Sequence, residues 1–179
     1  MKHLVSRRRT MRAALAGVGA VFVLATWSPI VASGAGSPGD YAPMHFMLGT
    51  WACSGAALDG TPIKATDTTV MQGAANAGGR MVSHDPQGQS TTTMWWDPAK
   101  QIWMLTSDSA KGSSSQTSPG WNGGALVFTG TISVSGAPTA GYRTTITKAS
   151  DTKRQQVDEI NVPGGEWITF DTLSCEKSK

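Results

Sequence analysis

From residue 49 onward the chain reads as short runs of five to ten residues in which apolar and polar positions alternate, separated by clusters of Gly, Pro, Asn and Asp. A period of two is the signature of strands that bury one face. The clearest example is 125–134, where Leu126, Phe128 and Ile132 oppose Val127, Thr129 and Thr131. Further strands are predicted over 49–57, 66–72, 80–84, 90–96, 101–107, 113–117, 141–149, 154–161 and 166–175. Asp97-Pro98-Ala99-Lys100 joins two of them as a hairpin turn in which the proline ring supplies the φ that the turn requires. Glycine, threonine and serine interrupt every candidate helical stripe, so helix is expected only as one or two turns within Tyr41 to Leu48. About ten short antiparallel strands at hairpin spacing predict an all-β barrel of the up-and-down kind, or a sandwich.

The two cysteines bear on that choice. Cys53 lies in the first predicted strand and Cys175 ends the last, with Trp51 and Cys53 on one face and Trp167, Asp171, Leu173 and Cys175 on one face. A bond between them makes the first and last strands neighbours, as closure of a barrel requires. A sandwich bridged between its sheets satisfies the same parity, and two buried free thiols are the other reading.

Residues 1–35 carry Lys2, Arg7, Arg8, Arg9 and Arg12, then the apolar run Ala13 to Trp27, then small residues. That order predicts an export signal, with an uncleaved membrane anchor as the alternative and a twin-arginine flavour at Ser6 to Met11. It leaves 36–179 as a single domain, and export favours a Cys53–Cys175 disulfide. Five of the fifteen basic residues belong to the signal and all twelve acidic ones to the domain, whose net charge is near −2. The overall basicity of the chain therefore gives no reason to expect a nucleic-acid or anionic-membrane partner, and no basic residues interleave the tryptophans as a single-strand platform needs.

Several short motifs then resemble a known family. Gly49-Thr50-Trp51 opening the first strand, Met94-Trp95-Trp96-Asp97 with Trp103 beyond the turn, Gly120-Trp121 before Gly123-Gly124, Phe128-Thr129-Gly130 and Arg143-Thr144-Thr145 resemble the bacterial calycin-like barrels related to nitrobindin. The resemblance implies an antiparallel barrel whose interior takes a small apolar molecule. It also implies haem on a late-strand histidine, but the domain's histidines, His45 and His84, come early, which speaks against haem chemistry here.

Tryptophan suits flat or greasy ligands and equally fills barrel interiors. Trp51 and Trp167 are assigned to the core. Met94, Trp96, Trp103, Met104 and Arg143 are the candidate ligand-binding residues, although opposing parity forbids all of them from lining one cavity. Arg143 suits a ligand carboxylate, or alternatively a tryptophan face or Glu159. Met44-His45-Phe46-Met47 and Met81 to His84 offer soft copper ligands without a diagnostic spacing, and methionine also fills irregular gaps, so no metal is assigned. No nucleophile elbow, zinc-protease motif, phosphate loop or dinucleotide fingerprint is present, and Asp108, Asp158 and Glu159 are expected on the solvated surface, with a meeting inside the barrel as acid and base as the alternative. The expected function is binding of a small apolar or amphipathic molecule without cofactor. A haem-type enzyme or a purely structural domain is the alternative.

Overall fold

The computed structural model describes residues 39–86, 89–161 and 164–178. The export signal expected over 1–35 lies outside the described residues.

A 3-10 helix over Ala42–Met47 leads into eleven strands: β1 Gly49–Ala57, β2 Pro62–Gln72, β3 Arg80–His84, β4 Ser90–Asp97, β5 Ile102–Ser109, β6 Gly112–Ser118, β7 Trp121–Asn122, β8 Ala125–Val134, β9 Ala140–Ser150, β10 Lys153–Asn161 and β11 Ile168–Lys177. Every neighbouring pair is antiparallel. β1 to β6 form a meander, β6 pairs with β8, β8 to β11 continue the meander, and β11 returns to β1. Ten strands thus close on themselves, and the two-residue β7 hangs from the edge of β8. Closure of the ring removes the unpaired strand edges that would otherwise template association.

The β1–β11 register puts Cys53 directly opposite Cys175, and the two form a disulfide across 122 residues of chain. Both are buried. The barrel outcome therefore holds over the sandwich, with the seam between first and last strand tied covalently.

Two glycines are required by close backbone approach. A Cβ on Gly130 would lie 2.0 Å from the Ser115 carbonyl oxygen, and one on Gly55 would lie 1.8 Å from that of Thr172. Each sits in a ladder where only a residue without a side chain fits.

One irregularity matters for the interior. β10 and β11 pair Asp158 with Asp171 and then Glu159 with Thr169, so Phe170 is an extra residue in a β-bulge. Simple alternation places Trp167 on the Asp171 face as a core residue. The bulge breaks that parity, and Trp167 instead lies just ahead of β11, half-buried, with the Arg143 guanidinium 4.5 Å from its ring centre.

Candidate functional site

The interior divides along the barrel axis. At the end nearest the 3-10 helix it is filled by large buried side chains. Trp51, 0 % exposed, donates its indole N–H to the Met47 carbonyl at 2.8 Å and meets Phe46 edge to face. Tyr41 packs edge-on against Trp103 with ring centres 4.7 Å apart. Its hydroxyl donates to the Gly79 carbonyl at 2.5 Å and accepts from the Trp96 N–H at 3.1 Å, and burial raises its pKa. Leu126 and Phe128 complete this plug without residual exposure.

Beyond the plug lies a cavity of about 500 Å3 that reaches the hairpin end of the barrel, where Lys111, Val134 and Phe170 rim it. Its apolar lining comes from Met47, Met81, Met94, Leu105, Ile146 and Leu173. Such a volume suits a small organic guest, since ligand pockets run from roughly 300 to 1,000 Å3. The other inward positions are polar, and they fall into two groups.

The first group is an ion pair. The Arg154 Nη2 donates to Asp67 Oδ2 at 3.0 Å, and the Ser83 hydroxyl donates to the same oxygen at 2.9 Å. Arg154 is held with its guanidinium 4.8 Å from the Trp51 ring centre, and its side chain is only 5 % exposed. Its Nε is buried without a hydrogen-bond partner, as is the hydroxyl of Ser114 on β6. Both residues line the cavity. Buried polar atoms are normally satisfied, so two orphans facing one cavity point to a missing partner.

The second group joins β6, β9, β10 and β11. Gln116 donates to the Thr144 hydroxyl at 3.2 Å, Thr144 donates to Asp158 Oδ1 at 2.5 Å, and Gln156 donates to Asp158 Oδ2 at 2.7 Å. Asp171 stands directly opposite Asp158 in the ladder, and its Oδ1 is a third buried atom without a partner. Burial first, and then the charge of Asp158, pushes the Asp171 carboxyl up to about 7. Tyr142, from β9, is driven upward by burial and by both carboxylates, so it stays a neutral phenol.

Of the five residues expected to bind ligand, Met94 is the one that lines the cavity. Trp96 and Trp103 point inward but at the plugged end, 5.5 Å apart. Met104 alternates with the inward Trp103 and Leu105, and so it faces out. Arg143 alternates with Tyr142 and Thr144 and also faces out, where it makes a two-point ion pair with Glu159 at 2.6 and 2.7 Å under Trp167. This pair holds the Glu159 carboxyl below its usual range. Asp108 is exposed as expected, whereas Asp158 is buried inside rather than solvated.

The interior arginine is thus Arg154, and the interior acids are Asp67, Asp158 and Asp171. In β10 both faces are mostly polar, with Arg154, Gln156 and Asp158 on one and Gln155 and Glu159 flanking Val157 on the other. Hydropathy gives no sign of which face turns inward. The available signal was register: Arg154 lies opposite Cys175, whose inward direction the disulfide fixes.

His45 and His84 are both exposed, so neither offers the cavity an imidazole. Among the described residues no group of three or more His, Cys, Asp or Glu side chains is placed to hold a metal ion. No model of a known protein family matches the sequence, and no curated protein matches it either.

Proposed function

We propose that this protein is an exported binding protein that holds a small amphipathic molecule in its barrel, with an acceptor group of the guest against Arg154 and its apolar body along the methionine and leucine wall. The observation that carries this reading is the buried Arg154 Nε–H, unpartnered above an open cavity. A carboxylate, sulfonate or carbonyl oxygen supplies the acceptor that this donor lacks, and hydrogen bonds to a charged donor are the strong ones. The buried disulfide suits an oxidising compartment, in keeping with the basic, apolar and small-residue order of the first 35 residues. Among the described residues no helix is long and apolar enough to cross a membrane.

Kinship with the nitrobindin-related calycins is part of the same proposal, supported by the closed antiparallel barrel and the Gly49-Thr50-Trp51 opening of β1. Haem held by histidine does not fit this interior, because both domain histidines lie on the outside.

Native mass spectrometry of the protein purified without denaturation tests the reading, together with titration by anilinonaphthalene sulfonate, an apolar anionic fluorophore. A bound small molecule, or probe binding that Arg154→Met abolishes while the circular dichroism spectrum is kept, is the expected result. Probe binding lost equally in Arg143→Gln, which alters only the outer surface, overturns it.

A further inference from the structure

The inward acids Asp158, buried, and Asp171, half-buried with its Oδ1 covered, have no part in the binding just proposed, yet they are an expensive feature of a barrel wall. They face each other across β10 and β11 beside the bulge, and Asp158 is 3 % exposed. Among the described residues no cation forms an ion pair with either. On β10 the inward neighbours are Gln156 and Arg154, and the charge of Arg154 is matched by Asp67 from β2. On β9 the facing titratable group is Tyr142, while Arg143 is turned outward to Glu159. On β1 the residue opposite Asp171 is Ala57, and β6 contributes only the amide of Gln116 through Thr144. Lys111 and Asp85 stand at the rim, on the β5–β6 and β3–β4 hairpins.

Two carboxylates so placed repel strongly in a poorly solvated wall, and a single proton between them removes most of the cost. Asp158 already accepts through both oxygens, from Thr144 and from Gln156, so it suits the charged role. Asp171 suits the protonated one, as its upward shift also indicates. We propose that Asp158 and Asp171 hold one proton between them and that this proton sets the charge directly behind the cavity-lining Thr144 and Gln156, so that binding of an anionic amphiphile is coupled to proton uptake at the pair. The coupling rests on the ligand-binding reading above; the shared proton does not.

The sign follows from counting charge. Asp67 and Arg154 cancel, as do Asp85 and Lys111 at the rim, so the wall carries one negative charge with the proton in place and two without it. An anionic guest is repelled more by the second state, and it therefore favours the protonated one. By linkage its affinity falls as pH rises through the titration of the pair, up to about tenfold per pH unit for one coupled proton.

Carbon-detected NMR of the side-chain carboxyls reads the proton directly, and fluorescence titration with anilinonaphthalene sulfonate from pH 5.5 to 8.5 reads the coupling, each in the wild type and in Asp171→Asn. We expect one carboxyl titrating near neutrality that disappears in Asp171→Asn. We also expect probe affinity roughly tenfold weaker at pH 8 than at pH 6 in the wild type, and flat with pH in the variant. Absence of any carboxyl titrating above pH 6 in the wild type overturns the shared proton and needs no variant to fold. A wild-type pH slope retained in Asp171→Asn overturns the coupling. Failure of the probe to bind at any pH overturns the coupling together with the cavity reading, while the NMR titration still decides the proton.

Discussion

The two ends of the barrel interior solve opposite problems. Around Tyr41, Trp51, Trp103 and Phe128 large buried rings interlock, and each side-chain polar atom of Tyr41 and Trp51 has a backbone partner. Toward the hairpins the inward residues are Ser, Thr, Gln, Asp and Arg around a cavity of about 500 Å3, and three of their buried polar atoms lack partners. The packed end is where burial stabilises the fold. The open end gives up that stabilisation and keeps a volume large enough for a small guest.

Variants at the two ends should separate these roles. The largest effect is expected from Trp51→Ala, which empties a fully buried site and should cost about 3–5 kcal/mol. In thermal melts this corresponds to a loss on the order of 10 °C or more, whereas Ser114→Ala at the cavity should stay within about 1 kcal/mol.

Removing the seam in a Cys53→Ala, Cys175→Ala double variant frees a span of 122 residues and should cost about 2–5 kcal/mol in urea unfolding. Arg154→Met leaves Asp67 without its partner in the wall. Because Asp67 keeps a quarter of its side chain exposed, the loss should fall below the ~3–5 kcal/mol of a fully buried broken pair, and adding Asp67→Asn should restore most of it.

Asp171 gives a pH-dependent contrast. Its folded-state pKa is raised above the ordinary carboxylate value, so the folded state binds the proton more tightly than the unfolded chain does. Its contribution is therefore fully present below about pH 4 and lost as pH rises through about 7. The melting temperature of Asp171→Asn should exceed that of the wild type at pH 8, and the gap should close by pH 5. The smallest effect belongs to Arg143→Gln on the outer face, below about 1 kcal/mol and without change in probe binding.

Strand order, the lead-in helix, the hairpin at Asp97 to Lys100 and the pairing of Cys53 with Cys175 were all legible, because each depends on local alternation, turn chemistry or parity. The plug was half legible: Trp51 is where parity puts it, while Trp96 and Trp103 took on the look of a ligand pocket although they close the opposite end. Arg143 misled for a related reason. It and Arg154 sit on strands of mixed polarity, and an arginine looks the same in sequence whether it points to solvent with Glu159 or to the interior with Asp67.

What the sequence by itself determined is the all-β class, about ten strands and the covalent seam between the first and last, since these follow from residue patterns within single strands and from one pair of thiols. Only the tertiary structure decided which face of β9 and β10 turns inward, that a bulge at Phe170 frees Trp167 from the core, and that Asp158 meets Asp171. These depend on the register between paired strands and on a bulge that breaks simple alternation. A shift of one residue there moves every side chain to the other face without altering the hydropathy of the strand.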